Sequence, residues 1–338
     1  MTKQDTSILK GIAILFMVWL HCFNERISHV LDYVDITLGG GNLSFVITRL
    51  TGPVELYILL SGYGLYYTYT HRASIGWISR LSKLYGLYAF TLLIFVPMVC
   101  ALGNEQYSLG LADIISNVTG WNTTYNSTIW FLFPYAVMVA IAGPLFKIFD
   151  NKPVLTLLGS AALYFGAYLT SWMSHHGHIE LGYALNEVIR VLNMVMPFLI
   201  GAALCKFSIV SKAKALFEQK QFLLSLSLIL LCAVRLSTDF DFILQLVYST
   251  SLIILVCSAR KPEWLSNLLS FFGKHSTSMW LVHAYFIWYL FDEYPYTLKY
   301  PVLIFGVSFI ESLITAIIID WCYPKISQSF HSIICKKK

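Results

Sequence analysis

The sequence predicts an all-α protein, a polytopic bundle of about ten transmembrane helices in one membrane domain over residues 1–338, with both termini cytoplasmic. Composition is the first reason. Hydrophobic residues make up 57% of the chain and charged residues 12%, about half the charge of an ordinary soluble domain. Run length is the second. Apolar stretches near twenty residues recur, and these suit helices that satisfy their own backbone. Barrel strands would show only ~10 alternating residues each. The third is the placement of positive charge. With the N-terminus in the cytoplasm, 18 of the 23 Lys and Arg fall on the inner side, from Lys3 and Lys10 to the closing Lys336-Lys337-Lys338. The other five, Arg26, Arg49, Arg190, Arg235 and Lys299, fall at or near the outer side. The formal charge of +5 is therefore an orientation signal, not a nucleic-acid signal.

The expected spans are 8–23, 44–69, 84–103, 128–148, 153–172, 185–205, 221–237, 241–259, 276–291 and 301–321. The polar start MTKQDTSILKG carries no cleavable signal, so the first span is expected to remain. The first outer loop, 24–43, holds the flexible turn Gly39-Gly40-Gly41-Asn42. The second, 104–127, carries three acceptor-like triplets at Asn117, Asn122 and Asn126, for which a plain polar loop is the favoured reading. The third, 173–184, contains His175-His176-Gly-His178, read as a solvated loop in preference to a metal site. Spans seven and eight are joined by a tight turn at Thr238-Asp239-Phe240-Asp241. The seven cysteines have no close-spaced framework and read as small packing residues.

Ionisable residues inside spans are costly, so each is a functional candidate. Lys10 and His21 lie eleven residues apart in the first span. Eleven helical steps leave their side chains about 20° out of phase, on one face, about 16 Å apart along the axis. His283 falls nine residues past Lys274 in the ninth span. Glu55 falls in the outer half of the second, and Glu311 about ten residues into the last. A histidine exchanges protons near neutral pH, and a carboxylate can orient it. On the cytoplasmic side, Arg80 and Lys83 are three residues apart and share a helix face, where they suit phosphates or lipid headgroups. Ser61-Gly62 reads as a point of close helix approach, with no nucleophile elbow around the serine.

These residues, taken in order, resemble acyltransferase family three. Lys10, ten residues and His21 match its Arg/Lys–His first span. Leu56-Tyr57-Ile-Leu-Leu-Ser61-Gly62-Tyr63 is similar to its Phe-Phe-x-x-Ser-Gly-Tyr stretch. Arg80-Leu-Ser-Lys83 stands for its Arg-x-x-Arg motif, with a lysine that keeps the charge and loses the fork. Ile129-Trp130-Phe131-Leu132, Met196-Pro197-Phe198-Leu199-Ile200-Gly201 and Gly273-Lys274-His-Ser276-Thr-Ser-Met-Trp280-Leu281-Val-His283 follow, with Trp280 where tyrosine is usual.

The resemblance implies an O-acyltransferase of the bacterial inner membrane. It would move an acyl group, usually acetyl from acetyl-CoA, to a hydroxyl of an extracytoplasmic glycan, lipid-linked sugar or small acceptor. Acetyl-CoA is then a substrate, and neither a metal nor nucleic acid is expected. Lys10, Arg80 and Lys83 would hold the coenzyme A phosphates. His21 would act as general base, or His21 or His283 would carry the acyl group transiently, with Glu55 or Glu311 orienting a histidine. A proton-coupled transporter using the buried histidines and acids is the alternative, although neither an internal repeat nor paired broken helices is present.

Overall fold

The computed structural model describes residues 1–25, 31–38, 41–102, 107–238 and 242–336. Arg26, Gly39-Gly40, Asp239-Phe240-Asp241 and Lys337-Lys338 lie outside the described residues, as do residues 103–106. The described chain is almost wholly helical. The helices are α1 (Lys3–Phe23), α2 (Leu43–Ile47), α3 (Pro53–His71), α4 (Trp77–Leu102), α5 (Leu111–Val118), α6 (Leu132–Asn151), α7 (Pro153–His175), α8 (Tyr183–Lys206), α9 (Ile209–Phe217), α10 (Gln221–Leu236), α11 (Phe242–Ser258), α12 (Glu263–Ala284) and α13 (Pro301–Lys336). One two-residue hairpin pairs Thr37 with Asn42 and Leu38 with Gly41.

Among the described residues, seven helical segments are long and apolar enough to cross a membrane, and α10 and α11 are shorter apolar helices. The fold is the expected all-α polytopic bundle. Two expected spans differ in detail. The second, 44–69, is broken: α2 passes through a 3-10 turn, Thr48–Leu50, and α3 starts afresh at Pro53. Proline has no N–H to continue a helix but suits a first turn, and Gly52 before it is non-helical, with φ −153° and ψ 57°. Glu55 therefore lies in the first turn of α3, where a helix N-terminus favours a negative charge. The ninth expected span, 276–291, starts earlier, at Glu263 directly after Pro262, and its α-form ends at Ala284. A π-helical turn follows, Tyr285–Tyr289, closed by Leu290 N–H donating to the Tyr285 carbonyl at 2.8 Å.

The chain divides into two compact units. One comprises Met1–Leu9, Gly52–Leu81 and Phe131–Leu265. Its centre is the α3–α8 contact. A Cβ on Gly62 would stand 1.9 Å from the Phe198 carbonyl oxygen, and one on Gly201 would stand 2.1 Å from that of Leu59. The two backbones thus touch reciprocally, as small residues allow between apolar helices. Phe146 of α6 stacks on Phe198 beside this contact, 5.3 Å between ring centroids. Lys206 and Tyr66 both bond Asp150, and Lys214 pairs with Asp5 at 2.7 Å.

The second unit comprises Lys10–Thr51, Ser82–Trp130 and Ser266–Lys338. Here α1 and α12 meet closely, since a Cβ on Gly11 would lie 2.0 Å from the Leu269 carbonyl oxygen. The pair meets again at His21 and His283. Low numbers face low numbers and high face high, so the two helices run in the same direction. Residues 31–38 and 41–44 lie at the end of α1: Ser44 donates to Asp35 through both N–H and hydroxyl, and Trp19 Nε1 donates to the Ser44 carbonyl. The Tyr296 hydroxyl donates to the Cys22 carbonyl, which the helix end leaves open.

Candidate active site

Helical phase puts His21 and Lys10 on one stripe of α1, and the α1–α12 contact brings His283 to that stripe. His21 is 6% exposed and His283 is fully buried. Their rings are joined by a hydrogen bond of 2.7 Å between His283 Nε2 and His21 Nδ1.

The protons on this pair follow from their partners. His283 Nδ1 faces the carbonyl oxygens of Met279 and Trp280, at 3.2 and 2.9 Å. Carbonyls only accept, so His283 carries its proton on Nδ1. In a neutral imidazole, Nε2 is then an acceptor, and His21 must donate to it from Nδ1. His21 Nε2 is left with the lone pair. The backbone of α12 thus sets the tautomer of His283, and His283 sets that of His21. Both residues lie in the last turn of their helices, where partial negative charge compensates a developing cation. This arrangement leaves a lone pair on His21 Nε2 that can accept a proton.

Among the described residues, no carboxylate is hydrogen-bonded to either ring. Both Nδ1 positions are taken by other groups, so the orienting role expected of Glu55 or Glu311 has no hydrogen bond behind it there. Glu311 is half-buried on α13, and its Oε2 is buried without a hydrogen-bond partner. Glu55 belongs to the other unit.

The cationic candidates stand on two helices. Lys10 is half-buried on α1, and Lys83 is exposed on α4 in the same unit. Arg80, in the first unit, is exposed in the opening turn of α4. It donates from Nη2 to Thr68 Oγ1 at 3.2 Å and from Nε to the Ile75 carbonyl at 3.0 Å, which ties the start of α4 to the end of α3.

Several groups around α12 escaped the sequence reading. His275 Nδ1 bonds Asp320 Oδ2, and the Ser278 hydroxyl donates to Asp320 Oδ1, each at 2.5 Å. Together they pin α12 to α13. Asn126 is completely buried; its Nδ2 donates to the Leu281 carbonyl and its Oδ1 accepts from Thr128. Asn117 is also completely buried, accepting from the Tyr125 N–H. Both asparagines therefore serve as internal ties of the 107–128 segment. Their signal was present as the triplets, but only burial tells a structural asparagine from a modified one. His175 and His176 end α7 beside Trp172, and among the described residues no cluster that would hold a metal is formed.

A family model described as an acyltransferase domain matches residues 6–321. No curated protein and no solved structure matches the chain. The match takes in α1 through most of α13, including every residue of the two-histidine arrangement. The chain belongs to acyltransferase family three, a family of membrane acyltransferases.

Proposed function

We propose that this protein transfers an acyl group, acetyl in the first instance, from cytoplasmic acyl-CoA to a hydroxyl of an extracytoplasmic glycan or small acceptor at the bacterial inner membrane. His21 is the general base. The observation that carries this reading is the free lone pair on His21 Nε2, directed by the His283 hydrogen bond. Lys10, Arg80 and Lys83 serve as cations for the coenzyme A phosphates, Lys10 on the same helical stripe as the base.

The acceptor oxygen attacks the thioester carbonyl carbon as its proton passes to His21 Nε2. Collapse of the tetrahedral intermediate breaks the C–S bond. The proton leaves His21 with the thiolate, giving an ester and free coenzyme A. His283 holds the ring and shares the positive charge while the proton rests there. Direct transfer needs one base and no acyl-enzyme.

The test uses membrane vesicles given radiolabelled acetyl-CoA and a glycan–lipid extract. His21→Ala is expected to lower label transfer about 10²–10⁴-fold, the usual contribution of a positioned base. Absence of transfer by the unaltered protein, or full transfer by His21→Ala, would overturn the reading. A covalent acyl-protein formed with acetyl-CoA alone would overturn direct transfer.

A further inference from the structure

Several donors of this unit are committed. His283 Nδ1–H is bound to its own helix. Trp19 Nε1–H donates to the Ser44 carbonyl, and Trp280 Nε1–H to the Thr128 carbonyl. The Tyr296 hydroxyl donates to Cys22. Trp288 is different. Its Nε1 is buried and has no hydrogen-bond partner. Its ring meets the His21 ring edge to face, with centroids 4.9 Å apart and an interplanar angle of 80°.

The backbone places it there by an unusual means. Five α-helical steps from His283 would turn Trp288 about 140° away from that residue. The π-helical turn over Tyr285–Tyr289 rotates less per residue and brings the indole back toward the histidine pair. That turn is held from outside: the Tyr289 hydroxyl bonds Ser127, and Asn126 bonds Leu281 just before it. A π-turn gives up regular α-helical bonding, and such turns cluster at functional sites. Here it sets an indole whose N–H is unpaired against the ring proposed as the base.

We propose that Trp288 is a further catalytic residue, whose indole N–H donates to the carbonyl oxygen of the transferred acyl group as it becomes an oxyanion. This rests on the reading of His21 as the base. When the acceptor oxygen attacks, the carbonyl electron pair moves onto oxygen, and the indole N–H receives the charge. When the C–S bond breaks, the pair returns to form the ester carbonyl. A donor already in place in a dry site stabilises such an oxygen far more than water would.

Two measurements on the full chain in membrane vesicles test this. The first is infrared difference spectroscopy of bound acetyl-CoA carrying a ¹³C-labelled carbonyl. The carbonyl stretch should shift to lower frequency in the unaltered protein and in His21→Ala. It should return toward the solution value in Trp288→Phe, which keeps an aromatic ring against His21. The second is label transfer. Trp288→Phe should lower kcat about 10²–10³-fold with KM for acetyl-CoA changed by little, in the range for loss of one oxyanion donor. Trp280→Phe, which loses an N–H already bound to Thr128, controls for general damage and should lose far less. If Trp288→Phe keeps both the carbonyl shift and the rate while His21→Ala abolishes transfer, the Trp288 proposal fails and the base reading stands. If His21→Ala also keeps its rate, or acetyl-CoA does not bind, the base or donor reading fails first.

Discussion

Replacing His283 separates a positioning role from a purely structural one. The residue touches neither end of the proposed reaction; it accepts one hydrogen bond, 2.7 Å long, from His21 Nδ1. His283→Leu removes that acceptor and leaves a buried N–H without a partner. The cost of an unsatisfied buried donor is about 1–3 kcal/mol. His21 can escape it by moving its proton to Nε2, which is the nitrogen that must be free. Either the donor stays unpaired or the base is lost to the wrong tautomer. At about 1.4 kcal/mol per tenfold, the expected fall in kcat is roughly 10–10²-fold, with KM for acetyl-CoA little changed. His283→Gln tests the cause. Its amide oxygen can accept from His21 Nδ1, so it should recover most of the lost rate at similar side-chain volume. Initial rates of label transfer at saturating acetyl-CoA measure both. A His283→Leu variant with normal kcat would refute the argument. So would a well-folded His283→Gln no better than His283→Leu. Combining His283→Leu with His21→Ala should add little to His21→Ala alone, since the two act as one unit.

Two further outcomes follow from the first unit. Gly62→Ala would place a methyl 1.9 Å from the Phe198 carbonyl oxygen, so α3 and α8 must part; a destabilisation of about 1–3 kcal/mol or more is expected, read as a lower thermal midpoint in detergent. Arg80→Ala should raise KM for acetyl-CoA about tenfold or more while leaving kcat at saturation nearly unchanged, because a charge-assisted phosphate contact is worth roughly 1.5–3 kcal/mol. A fall in kcat alone would remove Arg80 from phosphate binding.

What the sequence made legible follows physical rules that act locally. Apolar runs mark helices because a backbone in lipid must satisfy itself, and the Lys10–His21 stripe follows from helical phase alone. The close approach read at Gly62 needed only the absence of a side chain. Other features depend on distant partners. His21 and His283 are separated by 262 residues, and no spacing rule joins them. The start of α12 was obscured because Glu263, Asn267 and Lys274 lower the hydropathy of its first turns, although Pro262-Glu263 is a helix-start signal. The break before α3 was written in Gly52-Pro53, but the apolar run continues through it. Glu55 drew attention as a buried acid and turns out to occupy a favourable first turn. The π-turn that carries Trp288 has no sequence signature at all.

The pairing of two imidazoles, where soluble hydrolases often use imidazole and carboxylate, suits a base inside a helix bundle. A carboxylate orienting His21 would have to be kept charged in a site that excludes water, and isolated buried charge is very costly. An uncharged His283, oriented by backbone carbonyls, supplies the same acceptor geometry without a permanent ion. In the proposed transfer, charge then arises only as the acceptor proton reaches His21 Nε2. At that moment the last turns of α1 and α12 both present partial negative charge to it, because the two helices run in the same direction and end together. Stabilisation that is small in the resting state and larger in the transition state raises kcat, where uniform stabilisation would not. In the proposed mechanism, direction is thus what the parallel α1–α12 contact contributes.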